Sequence, residues 1–213
     1  VNIYSKMYYE ALQSRLKFIF EEFDNIYFSF SGGKDSGLLL NLTLDFRDKY
    51  YPDKTVGVFH QDFEAQYTVT TEYIEKTFEQ LEGRAERYWV CLPMATRTAL
   101  SSYEMFWYPW DDKKEDSWVR PMPKKEYVIN LKHNPMTTYR YKMHQEDLAK
   151  QFGRWYRISH GGRKTVCLLG MRASESLQRY SGFLNKNTAT RENAGSPDSL
   201  RTSGALLLSM TGR

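Results

Sequence analysis

The residues best suited to chemistry form a six-residue loop between a short apolar run and a helix-like segment. This glycine loop consists of Ser31, Gly32, Gly33, Lys34, Asp35 and Ser36. Two adjacent glycines let the backbone turn tightly and point its N–H groups inward, and the following helix adds positive potential at its N-terminus. Lys34 supplies a cation, and Ser31 and Ser36 supply hydroxyl groups. The sequence therefore predicts a site for phosphate groups.

The spacing of the glycine loop differs from the Walker pattern, in which four residues separate the first glycine from the Gly-Lys pair. It resembles instead the PP-loop of the adenine-nucleotide α-hydrolase-like proteins, which include ATP pyrophosphatases and phosphoadenosine-phosphosulfate (PAPS) reductases. This resemblance implies that the whole loop, Ser31 to Ser36, binds ATP or a related adenine nucleotide together with Mg²⁺. The alternative is an ordinary Gly-Gly turn beside a surface lysine.

Two carboxylates, Asp62 and Glu64, follow the second apolar run, Thr55 to His60. Carboxylates at the end of a strand can hold a ribose hydroxyl or a magnesium ion. We therefore predict that Asp62 binds the nucleotide and Mg²⁺. The alternative is that both carboxylates cap the helix predicted from Tyr67 to Leu81.

A second motif, Gly-x-Arg-x-x-Glu-Ser, covers Gly170 to Ser176 after another strand-like run. It is similar to the second conserved region of PAPS-reductase-like proteins. By this resemblance Arg172 clamps a phosphate through two N–H groups, and Glu175 orients that arginine. We therefore predict Lys34 and Arg172 as catalytic residues, and Arg172 and Glu175 as part of the nucleotide site.

Strands and helices alternate along most of the chain. Predicted strands cover residues 25–30, 55–60, 86–92 and 165–170, and predicted helices cover 4–23, 36–49, 67–81, 148–158 and 173–180. This alternation predicts an α/β fold, with a doubly wound, mostly parallel sheet in a three-layer α/β/α arrangement. Ligands of such sheets bind beyond the carboxyl ends of the strands, where the glycine loop is predicted to lie.

One long interruption, at about residues 93–139, breaks the alternation. Its aromatic residues include Tyr103, Phe106, Trp107, Tyr108, Trp110 and Trp118. Connections this long are usually functional or disordered, and so many aromatic residues argue against disorder. We predict a packed insertion near the mouth of the active site. The alternative is a platform on which nucleic-acid bases stack.

The composition favours a cytoplasmic protein of one domain. The chain has 213 residues, 41% of them hydrophobic, and no apolar run long enough for a membrane span. We expect no signal peptide, and we expect Cys91 and Cys167 to be small core residues without a redox role. The net charge of +4 suits phosphate-bearing ligands or weak nucleic-acid contact. The four histidines lack metal-ligand spacing.

Within the PP-loop class, the segment from Tyr9 to Lys186 is most similar to PAPS-reductase-like proteins of phages, prophages and mobile elements. That group includes the immunoglobulin-binding regulator A type, transcriptional co-activators that work with a ParB-like partner. The resemblance implies a ParB-like protein partner and only indirect contact with DNA. True PAPS reductases carry a redox cysteine in a Glu-Cys-Gly-Leu-His motif, which this chain lacks. Neither sulfonucleotide reduction nor an iron–sulfur cluster is therefore expected.

Two hypotheses of different classes follow. The first is an enzyme that cleaves ATP between its α- and β-phosphates and adenylates an acceptor, with Lys34 and the loop amides stabilising the pyrophosphate. The second is a nucleotide-responsive regulatory subunit whose output is binding to a ParB-like protein. A third hypothesis, a sulfonucleotide reductase, lacks the redox cysteine it requires.

The composition changes abruptly after Lys186. We predict a nucleotide-binding domain over residues 1–186 and a disordered, non-native tail over 187–213. Translated in a shifted frame, codons compatible with residues 194–212 can encode a peptide ending SPLYDWT, which resembles the family's continuation. The tail is therefore expected to be the product of a frameshift that truncates the chain. The alternative is a natural disordered tail.

Overall fold

The computed structural model describes residues 3–98, 100, 102–171 and 204–209, with the backbone alone for 3–8, 171 and 204–209. Helices are α1 (Ile3–Glu22), α2 (Lys34–Tyr50), α3 (Thr68–Gln80) and α4 (Gln145–Ser159). Strands are β1 (Asn25–Ser29), β2 (Val56–Gln61), β3 (Glu86–Val90), β4 (Thr96–Arg97), β5 (Phe106–Trp107), β6 (Val128–Ile129), β7 (Thr165–Met171) and β8 (Gly204–Ser209). A 3₁₀ helix covers Asp112–Ser117.

The chain divides into two compact units. The terminal unit comprises Val1–Gly57 and Arg157–Arg213, and the middle unit comprises Val58–Tyr156. The boundaries fall within β2 and near the end of α4. The predicted domain of residues 1–186 therefore contains the middle unit and most of the terminal one. Strands alternate with helices in sequence, and the α/β class that we predicted is confirmed.

The terminal unit contains three neighbouring strands in the order β1-β7-β8. β1 and β7 are parallel, with Ile26 opposite Val166 and Ser29 opposite Leu169. Alternate residues of β1 point to opposite faces, yet both Ile26 and Tyr27 are buried, because both faces of the strand are covered. The carboxyl ends of β1 and β7 consequently meet at one edge, and the glycine loop follows β1 there.

Aromatic packing joins α1 to α2 in the terminal unit. Phe20 of α1 lies 5.2 Å from Tyr51 and 5.8 Å from Phe46 of α2, measured between ring centroids. Leu16 and Ile19 complete the buried face of α1. This face is the amphipathic stripe that the sequence predicts. It anchors α2, and the glycine loop leads into that helix.

The middle unit has the strand order β6-β3-β2. β3 and β6 are parallel, with Trp89 opposite Val128. Phe78 of α3 and Phe152 of α4 are fully buried, and Phe152 stacks on Phe59 of β2 with 4.2 Å between ring centroids. Aromatic stacking therefore links α4 to β2 within the core of this unit.

The predicted insertion is packed and partly regular. β4 and β5 form an antiparallel pair, and β6 adds a strand beside β3. Trp110 and Met136 are almost completely buried. Strand β6 was not predicted, because two apolar residues, Val128 and Ile129, carry no periodic signal.

The predicted secondary structure matches the structure closely. The ends of the predicted strands and of α1 to α3 differ by at most two residues from those observed. The predicted helical stretch 148–158 lies within α4, which begins at Gln145. The predicted helix over 173–180 lies outside the described residues. Within the described part of the chain, no helix combines the length and apolar character needed to cross a bilayer.

Part of the tail differs from our expectation of disorder. Over Gly204–Ser209 the structure has strand β8, which pairs in parallel with β7 so that Leu206 lies opposite Leu168. The physical reason is the apolar run Leu206 to Leu208, which extends along an edge of β7 that would otherwise offer open hydrogen-bonding groups. The remaining tail residues lie outside the described part.

Removing β8 is expected to loosen β7. In a chain that ends at residue 203, the amide hydrogens of β7 should exchange roughly tenfold faster, which corresponds to about 1.4 kcal/mol of local opening free energy. Hydrogen-exchange mass spectrometry of the 165–171 peptide measures this, with the β3 peptide 86–90 as the internal control. Unchanged exchange in β7 would show that β8 contributes nothing to the sheet.

Candidate functional site

The glycine loop connects β1 to α2 in one tight turn. Gly32 has φ of +78°, a left-handed conformation that glycine adopts without the strain a side chain would bring. Gly33 has extended backbone angles and is the N-cap residue of α2, and no side chain caps the helix there. Because the first N–H groups of a helix lack partners within the helix, this helix start offers donors to an anion.

A closed ring of hydrogen bonds holds the loop in shape. The Gly33 N–H donates to Ser31 Oγ at 3.3 Å, and the Ser31 and Ser36 hydroxyl oxygens are 2.9 Å apart. Ser36 Oγ donates to the Gly33 carbonyl oxygen at 2.9 Å. Because Ser36 has a single hydroxyl proton, Ser31 must be the donor between the two serines. The loop is therefore ordered by its own groups.

The two serines differ in accessibility. Ser36 has only 2% of its surface exposed, whereas Ser31 and Lys34 are exposed. Ser36 thus shapes the loop from within, and Ser31 and Lys34 are the side chains on the solvent side.

The end of β7 packs directly against the first turn of α2. A Cβ atom at Gly170 would lie 2.8 Å from Ser36 Cα and 3.1 Å from Ser36 N. No side chain fits at this distance without moving the helix start. Gly170 opens the second sequence motif, so the structure brings the beginning of that motif to the glycine loop. Arg172 and Glu175 lie outside the described residues.

Asp62 belongs to the middle unit and is completely buried. Arg120 Nη2 donates to both of its carboxylate oxygens, at 2.7 Å to Oδ1 and 2.6 Å to Oδ2. The Trp89 indole N–H donates to Oδ2 at 2.6 Å, and the Glu64 backbone N–H donates to Oδ1 at 2.7 Å. Each oxygen of the carboxylate thus accepts two of these hydrogen bonds from groups of the protein.

The residues around Asp62 do not fit a magnesium ion. An ion would have to replace the Arg120 guanidinium, and Mg²⁺ requires several oxygen ligands, whereas the groups that contact this carboxylate most closely are N–H donors. Among the described residues, no group of three or more His, Cys, Asp or Glu side chains could hold a metal ion. The geometry therefore favours a structural role for Asp62.

Glu64 fastens the insertion to the loop after β2. Its carboxylate accepts the backbone N–H groups of Trp110 at 2.7 Å and Val119 at 2.8 Å. Its backbone carbonyl accepts Arg120 Nε at 3.0 Å. Helix α3 starts after Tyr67 without a side-chain cap, so the capping interpretation of these carboxylates is wrong.

Asp62, Glu64, Trp89, Trp110 and Arg120 together form what we term the buried carboxylate cluster. The Arg120 guanidinium also lies over the Trp110 ring, 4.9 Å from its centroid. Asp62 and Arg120 are separated by 58 residues. No motif includes either of them, so the sequence carried no local signal for this pair.

Both cysteines are buried free thiols, as the sequence analysis predicted. Burial raises the pKa of Cys91 well above its ordinary value, and the negative charge of Asp62 raises it further. Burial likewise raises the pKa of Cys167 to about 12. Neither environment produces the reactive thiolate of a redox cysteine. His60 is also buried and packs edge-on against Trp89, with 5.4 Å between ring centroids.

Comparison with known proteins finds a longer relative of this chain. No family model matches the chain. The chain is 31% identical over 179 residues to the uncharacterized protein YbdN of Escherichia coli (strain K12). The match covers 84% of this chain but 42% of YbdN, so the chain spans well under half the length of that relative. The similarity supports a shared fold over most of the chain, and its name assigns no activity.

Replacing Arg120 by methionine should strongly destabilise the protein, because the Asp62 carboxylate would remain buried and unpaired. The expected loss in free energy of unfolding is about 3–5 kcal/mol, measured by chemical denaturation. In the double variant Asp62→Asn/Arg120→Met much of this loss should be recovered.

The matched control is Lys150→Met, which breaks an exposed ion pair with Asp147 and should cost less than about 1 kcal/mol. Equal losses for Arg120→Met and this control would refute the role assigned to the cluster.

The two thiols should resist alkylation in the folded protein. Because burial raises their pKa values, both thiols stay protonated in the folded protein at pH values at which the unfolded thiols ionise. Their contribution to the free energy of unfolding is therefore complete below a pH of about 8.5, the ordinary thiol pKa, and declines as the pH rises above it. At pH 8, iodoacetamide should label neither Cys91 nor Cys167 until guanidinium is added, and mass spectrometry counts the adducts. Stoichiometric labelling of the folded protein would contradict the burial.

Proposed function

We propose that the glycine loop binds the phosphate groups of ATP or a related adenine nucleotide. The observation that carries this proposal is the closed hydrogen-bond ring of Gly33, Ser31 and Ser36 beside an uncapped helix start. A loop that is ordered before the ligand arrives loses little entropy on binding. The N–H groups at the start of α2 and the helix dipole then favour an anion.

Three residues have distinct roles in this proposal. Lys34, the first residue of α2, is exposed and supplies a mobile positive charge. Ser31 is exposed and can donate to a phosphate oxygen once its bond to Ser36 is exchanged. Gly33 is exposed and leaves the backbone open, because it has no side chain to shield the helix start from a phosphate group.

The adenine specificity of the proposal rests on the PP-loop resemblance, and so does membership in the PAPS-reductase-like class. Arg172 and Glu175 are proposed to join the site because their motif begins at Gly170, which touches the first turn of α2. Asp62 is not included, because Arg120 already neutralises it. A magnesium ion that entered with the nucleotide would neutralise phosphate charge. Such a protein would act in the cytoplasm, where ATP is abundant.

The reaction that fits this site is adenylation. The bond between the α-phosphorus and the oxygen that bridges to the β-phosphate breaks, the acceptor bonds to the α-phosphorus, and pyrophosphate leaves. Lys34 and the loop amides would stabilise the charge that develops on pyrophosphate. Nucleotide binding without pyrophosphate release would instead support the regulatory subunit with a ParB-like partner.

Lys34→Ala should weaken ATP binding by about 2–3 kcal/mol, the usual cost of losing a hydrogen bond to a charged group. Isothermal titration calorimetry measures the affinity, and a pyrophosphate assay run in parallel separates the enzyme from the binding protein. Gly33→Ala should also weaken binding while leaving the free protein stable, since its Cβ would lie an ordinary 3.4 Å from Ser31 Oγ.

The matched control is Lys17→Ala, which removes an exposed lysine of α1 that pairs only loosely with Glu21 at 3.8 Å. Its ATP affinity should equal that of the parent. If Lys34→Ala binds ATP as tightly as Lys17→Ala does, the proposed phosphate site is wrong.

A further inference from the structure

The insertion of the middle unit contains a cavity of about 510 Å³ that the nucleotide proposal does not use. We call it the aromatic pocket. Its walls include the aromatic side chains of Phe106, Trp107, Tyr108 and Trp118. A volume of this size lies within the usual range of small-molecule sites. All of the lining residues belong to the middle unit.

The charged residues in the wall of the aromatic pocket are mostly acidic. Its charged lining residues are Glu64, Glu104 and Asp111 together with one cation, Lys114. Asp111 is already neutralised, because Lys142 Nζ lies 2.6 Å from its Oδ2. Burial alone would raise the pKa of Asp111, but hydrogen bonds from Lys142 and Tyr141 outweigh burial and hold that pKa below its ordinary value.

Glu64 is a buried carboxylate in the wall of the aromatic pocket. Only 3% of its surface is exposed, and its carboxylate accepts two backbone N–H groups but forms no ion pair with a described Lys or Arg. A buried carboxylate without a cationic partner is unfavourable. A positively charged ligand in the pocket would relieve this cost.

The aromatic walls indicate which kind of cation would bind. Ring faces attract ammonium and guanidinium groups, and the middle unit already uses its own rings in this way. Lys142 Nζ lies 4.6 Å from the centroid of the Tyr108 ring. Metal ions are disfavoured, because the described residues contain no group of His, Cys, Asp and Glu side chains that could hold one.

We propose that the aromatic pocket binds an organic ammonium ion, with the ammonium head against the rings of Trp107 and Trp118 and its charge balanced by Glu64. The same chemistry disfavours the alternative that this part of the insertion stacks nucleic-acid bases, because the acidic wall would repel a phosphate backbone. The proposal does not depend on nucleotide binding at the glycine loop.

The test compares choline with 3,3-dimethylbutan-1-ol, its uncharged analogue of the same shape. Tryptophan fluorescence reports binding, since Trp107 and Trp118 line the pocket. Choline should bind saturably, and the alcohol should bind at least about tenfold more weakly, as cation–π and charge contributions require. A Gly-Gly-Lys-Gly-Gly peptide with an acetylated N-terminus and an amidated C-terminus forms a second arm, in which the lysine side chain carries the one ammonium group. Tighter binding of this peptide than of choline would identify a lysine side chain of a partner as the source of the ammonium group.

Variants locate the binding. Glu64→Gln removes the negative charge at constant side-chain length, and should weaken choline binding about fivefold or more while leaving the alcohol unaffected. Its NH₂ group replaces one of the two oxygens that accept the Trp110 and Val119 N–H groups, so its free energy of unfolding is measured beside its affinity. If Glu64→Gln fails to fold, Glu104→Gln provides the same charge test. Trp107→Leu should also weaken choline binding, whereas Tyr103→Leu, at a 98% exposed position of the same connection, should not.

Three results would overturn the proposal. The first is equal binding of choline and the alcohol, and the second is the absence of saturation for both cations up to about 50 mM, a concentration that excludes all but negligible affinity. The third is unchanged choline affinity in both Trp107→Leu and the glutamate variant.

Discussion

The Asp62 carboxylate has no exposed surface, and its need for neutralisation organises the middle unit. A bare carboxylate in a protein interior is very unfavourable, so a cation and several N–H groups must converge on it. Arg120 and Trp89 meet that need from distant parts of the chain. Because Arg120 also binds the Glu64 backbone carbonyl, the same interaction holds the insertion onto the end of β2.

The terminal unit relies on a different constraint, the close approach of two backbone segments. Gly170 at the end of β7 lies so close to Ser36 that no Cβ atom would fit there. The start of α2 and the end of β7 can pack this closely because residue 170 is a glycine. The Ser31 and Ser36 hydroxyls hydrogen-bond to each other, and Ser36 also donates to the Gly33 carbonyl oxygen. These bonds keep the loop ordered without a ligand. Rigidity of this kind is what an anion site needs, since fixed N–H groups do not have to reorganise on binding.

The two proposed sites would recognise opposite charges by opposite means. The glycine loop offers backbone N–H groups and Lys34 to an anion, and the aromatic pocket offers ring faces and Glu64 to a cation. Each set of groups belongs to one compact unit.

Much of the architecture followed from local sequence alone. Apolar runs such as Asn25 to Phe30 and amphipathic stripes such as Tyr4 to Phe23 marked the main strands and helices, because burial of one face repeats with the period of the backbone. The glycine loop was equally visible, since its chemistry is carried by adjacent residues. The burial of Cys91 and Cys167 was also predictable, because both lie inside apolar runs.

The tertiary structure alone decided what depends on contacts between distant residues. The pairing of Asp62 with Arg120 argues against the predicted magnesium role of Asp62, and it was not predictable because a carboxylate's partner cannot be inferred from its neighbours in the chain. Strands β6 and β8 were missed because a two-residue strand and a leucine run gain their conformation from the strand edges they meet. The aromatic pocket likewise depends on contacts between residues that are distant in the sequence. Its rings and carboxylates come from Glu64 and from residues some forty positions later, and only folding brings their charge and shape together.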